Sequence, residues 1–227
     1  MCPPSVDVMA NTLASPRLDA VLRRLFTAAA KDDQVSWPGP PPGRSWEQAT
    51  AAELADARED HYIPISPESG NLLYALVRAI RPETVVEFGT SYGISALYLA
   101  AAVTDNGTGR VITTELSKKK VAAARANLDE AGVGDAVTIL SGDALETLAD
   151  VSGPIELVLL DGWKNLYVPV LRLLEPLLAP GALVAADDTS FPRLAEYLEY
   201  VRDPANGYVT VAFPVADGME ISSWTGR

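Results

Sequence analysis

From Thr84 onward the chain repeats one unit: a short apolar run closed by a polar or acidic residue, a turn, then a stretch with helical spacing. The runs are Thr84 to Phe88, Arg110 to Glu115, Val137 to Gly142, Ile155 to Asp161 and Ala182 to Asp187. Ile94 to Val103, Lys118 to Ala131, Ala144 to Ala149, Tyr167 to Leu178 and Arg193 to Val201 read as the helices that follow them. Strands of this kind are covered on both faces, and their alternation with helices calls for right-handed crossovers into a mostly parallel sheet. The tail, YVTVAFPV and then GMEISSW, reads as two further strands in an antiparallel hairpin at one edge. The expectation is an α/β fold with a seven-stranded, mostly parallel sheet.

The first sixty residues read differently. Pro16 suits a first helical position, and Leu18, Val21, Leu22, Leu25, Phe26 and Ala29 recur at helical spacing. WPGPPPGRSW, residues 37–46, breaks regular structure, because proline removes donors and glycine loosens the backbone. A second helix is expected around Trp46 to Glu59, and a third through Leu72, Leu73, Leu76, Val77 and Ile80, ending at Arg81-Pro82. Residues 1–60 therefore form a helical extension with a proline-rich loop, and residues 61–227 the ligand-binding part of what is one domain overall. No window holds 18 continuous apolar residues, and the N-terminus has neither a basic start nor an apolar signal core, so a cytoplasmic protein without a membrane span is expected. Cys2 is the only cysteine and reads as a free thiol, which leaves no intramolecular disulfide and no cysteine-rich zinc site. A formal net charge of −12 repels nucleic acid phosphates; Lys118, Lys119 and Lys120 read as a solvated helix face.

In such a sheet ligands bind outside the carboxyl ends of the strands, where the chain order reverses. Glu87, Glu115, Asp143, Asp161, Asp187 and Asp188 all fall at expected strand ends. Each alone reads equally well as a helix cap or a solvated loop carboxylate, but together they require a cation or hydrogen-bond donors to balance them. The run VVEFGTSYGISALYLA supplies a strand, a tight turn and a helix start. Gly89 and Gly93 allow close backbone approach, with Thr90, Ser91 and Tyr92 between them; a G-x-x-x-G turn lacks the spacing that seats a pyrophosphate. Glu115 closes the second strand, where a carboxylate accepts both hydroxyls of a ribose. A nucleoside without phosphates fits this combination, S-adenosylmethionine being the common one, and its cationic sulfonium suits acidic surroundings that include Glu87.

EFGTSYGISALYLA, TTELSKKK, GDALETL, LLDGWKNLY and AADDT together resemble, in order, the motifs of the class I S-adenosylmethionine-dependent O-methyltransferases, specifically the metal-dependent catechol and caffeoyl-CoA O-methyltransferase-like family. The resemblance covers roughly residues 61–222 and implies the Rossmann-like class I methyltransferase fold. It also implies that Asp161, Asp187 and Asp188 bind magnesium or another divalent cation, and that Lys164 is the general base. In the cofactor site it implies Glu115 at the ribose, Asp143 and Ala144 beside the adenine, and Gly89, Ser91 and Ser95 along the methionine part. Ile65, Glu87, Thr90, Tyr92, Leu116, Asp161 and Trp163 complete that site. Two positions depart from the family pattern: Asp188 stands where asparagine is commoner, and Gly162 where the catechol enzyme has a bulkier residue.

The chemistry explains the residue types. A phenol with a pKa near 10 is a weak nucleophile at neutral pH. A magnesium ion chelated by two adjacent hydroxyls favours the oxyanion, and hard oxygen ligands suit that ion. An amine held beside a dication gives up its proton more readily and can take the hydroxyl proton; the plainer reading of Lys164 is a salt bridge to Asp161. Trp163 either walls an aromatic ring or packs into the core, and His61 reads as a loop or packing residue. The expected partner is a small aromatic with vicinal hydroxyls, chosen by the N-terminal helices, the proline loop and the FPRL region, in a chain that forms a homodimer. The rivals are methylation of hydroxylated uridine in tRNA, a nucleoside-binding protein without chemistry, and a nicotinamide-dependent dehydrogenase, which the missing third glycine disfavours.

Overall fold

The computed structural model describes residues 11–32, 39–45 and 48–226. Cys2, Trp46 and part of the proline-rich loop lie outside the described residues. The elements run α1 (Pro16–Asp32), α2 (Ala51–Ala57), α3 (Pro67–Ile80), β1 (Thr84–Phe88), α4 (Ile94–Asn106), β2 (Arg110–Glu115), α5 (Lys118–Ala131), β3 (Val137–Ser141), α6 (Ala144–Thr147), β4 (Ile155–Leu160), α7 (Tyr167–Leu174), β5 (Leu178–Ala186), α8 (Ala195–Arg202), β6 (Tyr208–Phe213) and β7 (Met219–Trp224).

All seven expected strands form, in the order β3-β2-β1-β4-β5-β7-β6. The first five are parallel, and β7 inserts antiparallel between β5 and β6. The chain order reverses between β1 and β4. Side chains alternate between two apolar cores, one on each sheet face: Val85, Leu157, Leu159 and Ala185 face one, and Val86, Phe88, Val158, Leu160, Val184 and Ala186 the other. α1, α3, α4 and α5 cover the first face, while α6, α7 and α8 cover the second. α4 is buried almost all round because it lies between α3 and the sheet, and it ends at Gly107 in a left-handed cap.

Several boundaries move for local reasons. α2 begins at Ala51, because Thr50 and Glu53 form a reciprocal capping box. α7 stops at Leu174, before Pro176, and a 3-10 turn over Glu175–Leu177 leads into β5. β5 starts at Leu178 instead of Ala182, with Pro180 and Gly181 accommodated where its register against β4 shifts. α6 is cut to one turn and continues as a 3-10 turn over Leu148–Asp150, and α8 follows a 3-10 turn over Pro192–Leu194. The apolar face of α1 is used within the chain: Leu18, Val21, Leu22 and Leu25 are buried in the first core. Among the described residues no helix is long and apolar enough to cross a membrane.

Candidate active site

Sheet register builds the first row of the site. Phe88 pairs with Thr114 on β2 and with Leu160 on β4, and Leu160 pairs with Ala186 on β5. The next residue on each strand, Glu115, Gly89, Asp161 or Asp187, therefore stands at one level along the carboxyl edge. Two backbone bonds extend the ladder beyond the strand ends: the Asp161 amide donates to the Phe88 carbonyl at 2.9 Å, and the Asp187 amide to the Leu160 carbonyl at 3.0 Å. Gly89, at φ +106, lies so close to this row that a Cβ there would come 2.4 Å from the Asp161 carbonyl oxygen. Only glycine fits.

Around the turn, a narrow slot is lined by Ile65, Gly89, Thr90, Ser91, Tyr92, Ser95 and Asp161, with Tyr62, Ile63 and Pro64 opposite. Glu115 is held beside it, one carboxylate oxygen accepting the Ser91 amide at 2.9 Å and the other the Ser117 amide at 2.8 Å. A carboxylate has lone pairs to spare after two such bonds, enough for a pair of hydroxyls. Ser91 has a positive φ of 46°, and its buried hydroxyl has no hydrogen-bond partner. Asp143 caps α6 by accepting the Leu145 amide at 2.8 Å; Ala144 beside it is buried, and Leu116 is half-buried between Glu115 and the α5 cap. Glu87 lies beneath the turn, fully buried, accepting the Thr113 hydroxyl, which is itself 2.6 Å from the Thr90 hydroxyl. Burial pushes the Glu87 carboxyl up to about 7, against the pull of hydrogen bonds from Ser95 and Thr113.

The second row gathers carboxylates about an amine. Lys164 Nζ is 2.6 Å from Asp188 Oδ2 and 3.6 Å from Asp161 Oδ1, and it donates to the Tyr167 hydroxyl at 2.8 Å. The Tyr167 hydroxyl in turn donates to the Asp187 carbonyl at 3.3 Å. Burial pushes the Asp161 carboxyl well up, and Asp187 and Asp188 add to this while Lys164 opposes it. Asp187 is pushed up by burial and by Asp188, again against Lys164. Its Oδ1 is buried without a partner. Asp188 adopts φ 63, a left-handed conformation that asparagine and aspartate tolerate best after glycine, which accounts for both residue types at this position. Gly162 has an equally local explanation: a Cβ there would meet the Phe88 ring at 2.4 Å.

The fit of this cluster to a divalent cation rests on its donors. Among the described residues no group of three or more histidine, cysteine, aspartate or glutamate side chains is closed around a metal position. Asp161 and Asp188 are paired with Lys164 instead, and Asp187 stands beside them. The three are nevertheless hard oxygen donors, mutually repelling, with one oxygen buried and unpartnered, which is the donor chemistry magnesium prefers. Next to Asp187 and Asp188 opens a cleft of about 270 Å³ whose far wall is Phe26, Ala29 and Ala30 of α1.

The structure thus brings Ile65, Gly89, Thr90, Ser91, Tyr92, Ser95 and Asp161 into one slot, sets Glu115 at its side, and joins Lys164 to Asp161 and Asp188. Trp163 is half-buried, packed on the second core with the Arg58 guanidinium 5.7 Å from its ring centre. His61 lies in the extended stretch after α2. Tyr167 and Tyr62 are additions. Tyr167, three residues after Lys164, offered a signal in its spacing alone; Tyr62, stacked on Tyr92 at 4.0 Å between ring centres, offered none.

Residues 86–189 match the family model described as a methyltransferase domain. The chain is 37% identical over 145 residues to the catechol O-methyltransferase of Mycobacterium tuberculosis, a match covering 63% of this chain and 65% of that one. It is 27% identical over 198 residues to the catechol O-methyltransferase of Mus musculus, covering 82% and 74%. The matches to the M. tuberculosis and Niastella koreensis catechol O-methyltransferases span less than two thirds of those proteins, 65% and 58%. Among solved structures, cofactor-bound Rv0187 from MTB superposes with a TM-score of 0.67 at 28% identity, covering 78% of this chain and 90% of that one. The O-methyltransferase TomG of Streptomyces achromogenes superposes with a TM-score of 0.68 at 23% identity, covering 91% and 90%, a likeness of fold.

Proposed function

We propose, from the premise that the chain carries a class I methyltransferase domain of the catechol and caffeoyl-CoA O-methyltransferase type, that it methylates one hydroxyl of a small aromatic bearing vicinal hydroxyls. When bound, S-adenosylmethionine would supply the methyl group and a divalent cation held by Asp161, Asp187 and Asp188 would polarise the acceptor hydroxyl. The protein's own residues do the rest. Glu115, fixed by two amides, accepts the ribose hydroxyls; Gly89, Ser91 and Ser95 line the methionine part, the Ser91 hydroxyl being still unpartnered. Asp143, Ala144 and Leu116 border the adenine. Lys164 takes the acceptor proton at Nζ, and Tyr167 holds that amine over the carboxylates. The stretch from Glu59 to Ile65, tied by the Tyr92 hydroxyl to the Glu59 carbonyl at 2.8 Å, keeps water from the slot.

One observation carries this reading: at the point where the strand order reverses, an amine meets two of three carboxylates beside a glycine turn. Turnover of a catechol panel with S-adenosylmethionine, with and without EDTA, tests it. Activity lost in the chelator and restored by magnesium is expected. Unchanged activity in EDTA removes the cation, and no product from any vicinal diol removes the acceptor class. A cytoplasmic location and a homodimeric state go with this activity, and sedimentation of the purified chain reads the second.

A further inference from the structure

Beyond the inner carboxylates, the acceptor cleft has an outer part that the proposed chemistry leaves unused. Its walls are apolar, with Phe26 and Ala29 on α1 facing Pro64 and Pro67. Among the described residues that line it, every charged side chain is acidic: Asp187, Asp188 and, at the mouth, Asp217. Asp217 stands in the turn between β6 and β7, next to Ala216 at φ 47. Two backbone bonds pin that turn to the segment after Asp188, the Ser190 amide donating to the Asp217 carbonyl at 2.9 Å and the Thr189 amide to the Gly218 carbonyl at 3.0 Å. The distance from Asp217 to the inner carboxylates is thereby fixed. Asp187, which lines this cleft, also has one carboxylate oxygen buried without a partner.

The charges are unequal in consequence. Lys164 and a divalent cation sit among the three inner aspartates and offset most of their charge, so these add little net field toward an acceptor's distal arm. Asp217 has no such partner among the cleft's lining residues. Resting on the methyl-transfer reading above, we propose that Asp217 is a specificity-determining residue, selecting aromatic diols whose side arm along α1 is cationic and rejecting those whose arm is anionic.

The test uses three catechols that differ only in the end of one short arm: an ammonium, a methyl and a carboxylate. Binding by calorimetry in the presence of magnesium, and kcat/KM with S-adenosylmethionine, are both measured at low and high salt. Preference for the cationic over the anionic arm by roughly 10-fold or more at low salt, shrinking as salt rises, is expected. Asp217→Asn keeps the turn, whose pinning bonds use the backbone. It should weaken the cationic acceptor roughly 3- to 10-fold and strengthen the anionic one, with the neutral acceptor unchanged; Asp217→Lys should invert the order. An order that Asp217→Asn leaves untouched, while the neutral catechol turns over normally, overturns the selection but not methyl transfer. Failure to turn over even the neutral catechol defeats methyl transfer, and the binding order still decides the selection. An anionic preference overturns it as well, and points to Arg58 and Arg193 on the Trp163 side.

Discussion

Lys164 has two tasks that separate on mutation. As counter-ion it sits 2.6 Å from Asp188; as base it must accept a proton. Lys164→Met removes both and should lower kcat by roughly 10²- to 10⁴-fold while S-adenosylmethionine still binds. Lys164→Arg keeps the charge yet cannot lose it, so comparable loss is expected there; wild-type kcat in the arginine variant would rule out the base. Glu115 offers a cleaner binding probe, since it touches no reacting atom. Glu115→Ala should weaken S-adenosylmethionine roughly 10- to 100-fold by calorimetry, the worth of one or two charge-assisted hydrogen bonds. At Gly162 the question is steric: Gly162→Ala drives a methyl into the Phe88 ring and should cost about 1–3 kcal/mol in denaturant unfolding. Phe88→Leu in the same chain should recover most of it. If the two losses simply add, Phe88 is not the reason for the glycine.

One of the points that fasten the N-terminal extension is shared with α3 and α4. Asp105, near the end of α4, accepts the Thr12 amide at 3.1 and 3.0 Å and the Tyr74 hydroxyl at 2.6 Å. α1 supplies Phe26 and Ala29 to the cleft beside Asp187 and Asp188, so under the proposed function its anchorage bears on the acceptor as well as on stability. Asp105→Ala should cost about 2 kcal/mol, speed hydrogen exchange across residues 12–32 and raise the acceptor KM, leaving the affinity for S-adenosylmethionine unaltered. An unchanged acceptor KM would separate α1 from the cleft. At this scale the sequence was informative where periodicity and caps agree. α5 is bounded by Ser117 and Gly132 and falls where its pattern ends. It was misleading where proline hides inside a strand, as at Pro180, because propensity cannot show that a register shift will accommodate it.

For the whole molecule, the buried acids set the pH behaviour of the protein without ligands. Glu87 is raised to about 7 from an ordinary 4.5. Below 4.5 both folded and unfolded chains hold the proton; between 4.5 and 7 the folded chain keeps it and the unfolded chain does not, so stability falls as pH rises through that window. Asp161 and Asp187, also raised by burial, act in the same direction. Glu87 alone accounts for about 3 kcal/mol at most. A melting temperature lower at pH 8 than at pH 5 by roughly 5–10 °C is expected. Glu87→Gln should flatten the profile; a melting temperature that rises over the same range would refute the assignment.

By itself the sequence determined the alternation of strands and helices, the glycine turn, the acidic strand tips and the three-residue step from Asp161 to Lys164, because all of these are local: periodicity, cap chemistry and spacing are complete within a few residues. The tertiary structure decided the rest. It gave Lys164 its tightest contact with Asp188 and not Asp161, put Glu87 beneath the turn instead of on the rim, made Tyr167 the brace for the lysine and brought Asp217 to the cleft mouth. Those contacts depend on the register of β1, β4 and β5 and on a hairpin pinned to the loop after Asp188. Such distances are set by sheet pairing between residues far apart in the chain, which no local pattern encodes.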